Sequence, residues 1–314
     1  MTGSVIYERL ALIGLGLIGA SIALAARRQG LVKNIVGYTR TAETRAIAQS
    51  LKIADSYPAS AAEAAQGADL VVLATPVGSF RALAQEIAPQ LKKGATLTDV
   101  GSVKSTVIKD VGPSVPAGVH LVPGHPIAGT EHSGPAAGFA TLFEGRWCIL
   151  TPPAEADEAA VARLESFWRA LGSSVERMDA KHHDMVLAIT SHVPHLIAYN
   201  IVSTADHLAQ VTSSEVIKYS AGGFRDFTRI AASDPVMWRD VFLNNKDAVL
   251  EMLGRFNEDL SLLQRAIRYG DGNTLEEVFT RTRAIRRSII DAGQETAEPD
   301  FGRHAKDPLS ASKK

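Results

Sequence analysis

Short apolar runs alternate with longer amphipathic ones along the first half of the chain. Leu10–Ile13 is a continuous apolar run of the kind a strand buried on both faces needs, and Leu17–Gln29 follows with helical spacing until Gly30 stops it. The same alternation predicts a strand at Asn34–Tyr38, a helix at Ala42–Leu51, a strand at Asp69–Thr75 closed by Pro76, and a helix at Phe80–Leu91. A strand at Ala95–Val100 and a short helix at Ser105–Val111 come next. Strands near His120–Val122 and Arg146–Thr151 flank a Gly/Pro/His-rich stretch that fits neither period and reads as loop. Glu155–Leu171 reads as helix and Ser174–Met178 as the last strand. Such alternation implies a mostly parallel sheet, because each crossover helix must cover a sheet face.

After Asp179 the texture changes. Helical spacing dominates through Ile290, in Met185–Leu208, Pro235–Arg255 and Leu275–Asp291. Val186–Ile189 and Ile197–Val202 carry more apolar residues than one helix face uses, which predicts burial in a partner subunit, hence a homodimer. From Gly293 onward the chain is polar, holds Pro299 and Pro308, and reads as a disordered tail. The expected fold class is α/β. Residues 1–179 form a Rossmann-type doubly wound sheet, 180–292 an all-α substrate and dimerisation domain, and 293–314 the tail.

Composition narrows the function classes. Among 314 residues, 33 Lys+Arg balance 34 Asp+Glu, so no general field draws the chain to nucleic acid. No uninterrupted apolar run reaches the roughly 20 residues that span a bilayer. The single cysteine, Cys148, cannot form an internal disulfide, which suits a reducing, cytoplasmic setting.

Gly14-Leu15-Gly16-Leu17-Ile18-Gly19 is a G-x-G-x-x-G motif between a strand and a helix. The glycines serve the tight turn, the approach of backbone to a pyrophosphate, and close helix–strand packing, while the helix N-terminus offers N–H groups to phosphate. At the end of the second strand, where an acid would read an NAD ribose, stand Thr39 and Arg40. A hydroxyl beside a guanidinium suits a 2′-phosphate, so NADP is expected over NAD. Thr75 and Pro76 stand where a loop would pass over the nicotinamide ribose.

Three further segments concentrate polar chemistry. They are DVGSVK (Asp99–Lys104), GHPIAGTE (Gly124–Glu131) and SHVPH (Ser191–His195), the last with Pro194 inside a helical stretch. Together with GLGLIG, the His182-His183-Asp184 run and GGFRDFTRIAASDPVMWRD, they resemble the prephenate/arogenate (cyclohexadienyl) dehydrogenase family of tyrosine biosynthesis, in order from Leu10 to Asp291. The resemblance implies oxidation of a ring alcohol with loss of CO2 as the ring aromatises. It implies His125 as the base for the hydroxyl proton and Ser102 as its hydrogen-bonding companion. Arg229 and His195 would be substrate contacts, with Asp226, one helical turn earlier, orienting Arg229. Thr130 and Glu131 belong to the same substrate set. Ser102 could equally cap the helix that follows it. The histidine-rich segments lack an acidic partner at metal-ligand spacing, so no metal is expected. The alternatives are a β-hydroxyacid-type dehydrogenase, which would rely on a lysine in the helical region, and a redox-inert NADP-sensing dimer.

Overall fold

The computed structural model describes residues 4–130, 132–218 and 222–291. Strands and helices alternate largely as the periodicity predicts: β1 (Tyr7–Ile13), α1 (Leu17–Gln29), β2 (Val32–Tyr38), α2 (Ala42–Ser50), α3 (Ala61–Ala65), β3 (Leu70–Leu73), α4 (Phe80–Ile87), β4 (Thr96–Asp99), α5 (Ser105–Val111) and β5 (His120–Leu121). The five strands form one parallel sheet in the order β2-β1-β3-β4-β5. Successive strand residues face opposite sides, and both sides are covered. Leu10, Leu12, Leu70 and Val72 share one core with Ile22, Phe167 and Trp168. Ala11, Ile13, Val71 and Leu73 share the other with Phe80 and Ile87. This is why the strands read as continuous apolar runs.

A second sheet departs from the sequence reading. β6 (Gly124–Pro126) pairs antiparallel with β7 (Trp147–Leu150), which pairs parallel with β8 (Ser174–Arg177), and α6 (Glu158–Ala170) makes the crossover. His125 therefore sits opposite Ile149 on a strand, where the sequence reading places it in a loop. Three residues spanning a glycine and a proline are too few to show a period of two, so the strand is invisible until β7 supplies its partner.

The remaining helices are α7 (Ala180–Leu187), α8 (Val193–Lys218), α9 (Gly222–Thr228), α10 (Pro235–Asn244), α11 (Lys246–Tyr269) and α12 (Gly272–Ile289). The helix expected over Met185–Leu208 is interrupted by a π-turn at Ala188–His192. Pro194 has no N–H and its ring excludes the carbonyl four residues back, so the turn before it widens. The helix expected over Pro235–Arg255 breaks at Asn245, and α11 continues to Tyr269. By compactness the chain divides into Met1–Val249 and Leu250–Lys314, so α7 to α10 belong to the same unit as the sheets. The stretch Ala180–His207 is long and apolar enough on average to cross a membrane, although charged and histidine residues interrupt its apolar runs. Its His183, Asp184 and His192 are buried.

At Gly19 an added Cβ would lie 2.1 Å from the Gly14 carbonyl oxygen, which is backbone and cannot swing aside. Gly19→Ala is expected to destabilise the folded chain by about 1–3 kcal/mol, the range for overpacking, read as a lowered midpoint in denaturant or thermal unfolding. An unchanged midpoint would mean that α1 can slide away from the turn.

Candidate functional site

One register row crosses the carboxyl edge of the parallel sheet. Tyr38 pairs with Ile13, Ile13 with Leu73, and Leu73 with Asp99. The loops leaving this row carry Thr39 and Arg40 after β2, Gly14–Gly19 after β1, Thr75 and Pro76 after β3, and Ser102 after β4. The strand order reverses at β1, so the β1 and β3 loops flank the switch point where open α/β sheets bind ligands.

The glycine turn fits a dinucleotide. Gly14 holds φ +114, and a Cβ there would stand 2.4 Å from the Ala74 carbonyl oxygen, so the two loops meet at backbone distance. Gly16 caps α1 with no side-chain cap, and the first turn of α1 contains no acidic residue. A Cβ on Gly16 would meet nothing within 4 Å. The first-turn N–H groups, including those of Leu17 and Ile18, have no intrahelical partner, and such a helix N-terminus suits a pyrophosphate. Arg40 is exposed and Thr39 half-buried beside it. Thr41 caps α2, accepting from the Thr44 N–H at 3.2 Å. The Thr75 hydroxyl lies 2.7 Å from that of Ser79, which donates to the Pro76 carbonyl.

A buried polar cluster lies at the β4 end of the row. Lys104 and Asp99 are 0% and 1% exposed and form an ion pair. Asp99 also accepts from the Gly101 N–H (2.7 Å) and the Gly124 N–H (3.2 Å), and Lys104 Nζ donates to the Gly124 carbonyl (2.6 Å). Burial pushes Asp99 up and Lys104 down, and their mutual attraction opposes both shifts. From α7, Asp184 accepts from the backbone N–H groups of Lys104 (2.7 Å) and Ser105 (2.9 Å). It thereby caps α5, the role the sequence also allowed for Ser102. The half-buried Ser102 is not that cap: α5 begins one residue past Lys104, with Asp184 as its acceptor.

His125 Nδ1 lies 2.9 Å from His183 Nε2, and His183 Nδ1 lies 2.9 Å from Asp184 Oδ1. Burial lowers the His125 pKa well below 6.5, and the neighbouring His183, Lys104 and His192 lower it further. Burial also lowers His183, against the pull of Asp184. Desolvation alone would raise Asp184, but hydrogen bonds from His183, Ser105 and Lys104 hold it below the usual carboxylate range. The Asn245 amide donates to the Asp184 carbonyl (2.8 Å) and reaches His192 Nδ1 (3.0 Å). His192 is driven to about 4, chiefly by burial.

His195, on α8, stacks on Trp238 of α10 with ring centroids 3.7 Å apart, and its Nδ1–H donates to the Ser191 carbonyl at 2.8 Å. Burial lowers its pKa, the Ser191 carbonyl opposes this, and Arg229 lowers it further. Arg229, half-buried at the start of the 3-10 turn Arg229–Ala232, therefore acts on His195 electrostatically. Asp226 is exposed and pairs with Arg225 at 3.6 Å. The Thr130 hydroxyl accepts from the His132 N–H at 3.2 Å, while Glu131 and the tail lie outside the described residues. His183, Asp184, Lys104, His192 and Asn245 are not candidate site residues in the sequence. The His182-His183-Asp184 run carries part of the family resemblance but no assigned role, and Asn245 sits inside a stretch whose spacing predicts an unbroken helix.

Residues 22–177 match the family model described as prephenate dehydrogenase, nucleotide-binding domain, and residues 179–281 the one described as prephenate dehydrogenase, dimerization domain. The chain belongs to the prephenate dehydrogenase family. It is 39% identical over 284 residues to the cyclohexadienyl dehydrogenase of Zymomonas mobilis, covering 90% of this chain and 97% of that one. The crystal structure of prephenate dehydrogenase from A. aeolicus, in complex with hydroxyphenyl propionate and NAD+, superposes with a TM-score of 0.85 at 36% identity, covering 91% of this chain and 100% of that one. Synechocystis arogenate dehydrogenase gives 0.74 at 25% identity, covering 90% and 100%.

The open space at Gly16 separates binding from stability. Gly16→Ala is expected to leave the unfolding midpoint unchanged, because its methyl meets no protein atom, yet to weaken dinucleotide binding at least tenfold, about 1.4 kcal/mol. Fluorescence titration with NADH and NADPH checks this; undiminished affinity would place the pyrophosphate elsewhere.

Proposed function

We propose that this member of the prephenate dehydrogenase family oxidises and decarboxylates prephenate or arogenate in tyrosine biosynthesis, with His125 as the group that takes the ring-hydroxyl proton. The observation that carries this reading is a buried imidazole on β6 whose Nδ1 is engaged by His183, beside the Asp99–Lys104 pair at the end of β4, with its pKa depressed by burial. NAD(P)+, when bound over the Gly14–Gly19 turn, supplies the hydride acceptor. His125 Nε2 accepts the proton as the alcohol carbon is oxidised, which a neutral imidazole can do and an imidazolium cannot. Ser102, in the loop after β4, hydrogen-bonds the same hydroxyl and keeps it in register. Arg229 binds a substrate carboxylate through its planar fork of donors, and His195, fixed by Trp238, offers Nε2 to a second polar group. Aromatisation then drives loss of CO2 with little demand on the protein.

The enzyme acts in the cytoplasm as a homodimer. Supporting the dimer, α12 buries none of its residues although Phe279, Ile285 and Ile289 are apolar. A helix of this kind gains little stability on its own and needs a covering surface.

His125→Asn is expected to lower kcat by roughly 10²–10⁴-fold with dinucleotide affinity unchanged. In the wild type, kcat/KM falls at low pH as His125 takes a proton from solvent. Because burial depresses its pKa, that acid limb lies below 6.5. Near-normal turnover by the variant, or an acid limb above 6.5, would remove His125 from this role.

Cofactor choice follows from Thr39 and Arg40. The exposed guanidinium can donate to a 2′-phosphate, and no carboxylate stands there to repel it. Such a charge-assisted contact is worth about 1.5–3 kcal/mol, so kcat/KM should favour NADP over NAD by roughly 10–100-fold. Thr39→Asp combined with Arg40→Ala should turn the preference toward NAD. Wild-type kinetics that favour NAD would show that Arg40 stays in solvent.

A further inference from the structure

We infer that His183 and Asp184 are positioning residues that fix the tautomer of His125, keeping its Nε2 free of hydrogen in the resting enzyme. The inference rests on the reading of His125 as proton acceptor, and its logic runs outward from Asp184. Two backbone donors, from Lys104 and Ser105, converge on the Asp184 carboxylate at 2.7 and 2.9 Å, and the group is shielded from water. A carboxylate so placed can only accept, so the 2.9 Å contact with His183 Nδ1 requires the hydrogen to sit on that nitrogen. His183 is fully buried, and burial keeps it neutral, so its Nε2 carries a lone pair. That lone pair is 2.9 Å from His125 Nδ1. Two facing lone pairs would repel, so His125 Nδ1 carries the hydrogen and donates it. His125 is neutral too, which leaves Nε2 bare.

The tautomer of a histidine is set by the bond its other nitrogen makes. Without His183, the imidazole would be free to take the Nε2–H form, which ordinary histidine prefers in water and which cannot accept a proton at Nε2. The chain also serves the moment of reaction. When the substrate proton arrives on Nε2, the new imidazolium still donates from Nδ1 to His183, whose Nδ1–H still donates to Asp184. The positive charge is stabilised by two aligned hydrogen bonds, and no proton leaves His125. The edge-to-face arrangement of the two rings, at 5.1 Å and 65°, keeps the Nδ1···Nε2 line short.

Imidazole nitrogens with and without hydrogen are distinguished by ¹H–¹⁵N correlation spectra of enzyme labelled with ¹⁵N-histidine. In the wild type, the His125 signals should show Nδ1 protonated and Nε2 bare. In His183→Leu they should move to the Nε2–H form, and kcat should fall about 10²-fold, within the range of positioned proton transfer, with KM and dinucleotide affinity unchanged. His183→Gln, whose side-chain carbonyl can accept from Nδ1–H, should recover most of the lost kcat. A wild-type His125 carrying its hydrogen on Nε2 would overturn the inference, as would a His183→Leu enzyme with full kcat. If that variant fails to fold, the wild-type spectrum and the glutamine variant decide alone. Should His125→Asn retain turnover while the wild-type spectrum is as expected, the tautomer assignment stands and the proton-acceptor reading falls.

Discussion

The buried ion pair between Lys104 and Asp99 is the constraint on which the rest of the site depends. Taking both charges out of water is unfavourable by several kcal/mol, and the arrangement holds because every strong partner is supplied. Asp99 receives two backbone N–H groups besides the ammonium, and Lys104 reaches the Gly124 carbonyl. The same lysine presents its backbone N–H to Asp184. The links close into a ring: Lys104 to Asp184 through the main chain, Asp184 to His183 to His125, and Gly124 back to Lys104 through the side chain. His125 is thus held from both directions, by the strand that carries it and by the imidazole behind it. Removing either charge would leave the other buried and unpaired, at about 3–5 kcal/mol.

That ring also explains why the segment after Asp179 packs as it does. A helix as apolar as Ala180–His207 has no intrinsic reason to choose one docking site over another. Its few polar residues choose for it. Asp184 caps α5, His183 meets His125, and the π-turn before Pro194 brings His192 to the amide of Asn245. Asn245 interrupts the path from α10 into α11 and is itself buried, spending its amide on Asp184 and His192. Two breaks in helical periodicity, which an unbroken apolar pattern would disfavour, are therefore what aligns the cluster. Irregular backbone is concentrated at the chemistry, where polar groups released from the helix ladder find use.

Much of this architecture was legible in the chain. The runs at Leu10–Ile13 and Asp69–Thr75 announce strands buried on both faces, and the glycines at 14, 16 and 19 announce the turn. These signals are local: each depends on residues within one element, where a period or a positive φ decides. His125 was singled out as chemistry, but its strand was not, because Gly124–Pro126 becomes a strand only through β7, more than twenty residues later. Lys104 could not be read as buried, since nothing in DVGSVK distinguishes a surface lysine from one paired with the aspartate that begins the motif. The His183-Asp184 pair carried a visible peculiarity, yet its meaning depends on two hydrogen bonds that join residues 58 and 80 positions apart. Long-range polar satisfaction is what sequence pattern conveys least.

The division of labour along the register row follows from charge. At the β1 end the protein offers only backbone, in a cradle that any side chain on Gly16 would intrude upon, which suits a phosphate group that brings its own charge. At the β4 end it offers the buried imidazoles of His125, His183 and His192, and burial lowers the pKa of all three. A base so depressed is weak by itself. On the proposed reading the substrate corrects this, because a dianion enters beside His125 while Arg229 compensates only part of its charge. Negative charge in a low-dielectric site stabilises imidazolium, so proton affinity at Nε2 rises when the substrate is seated.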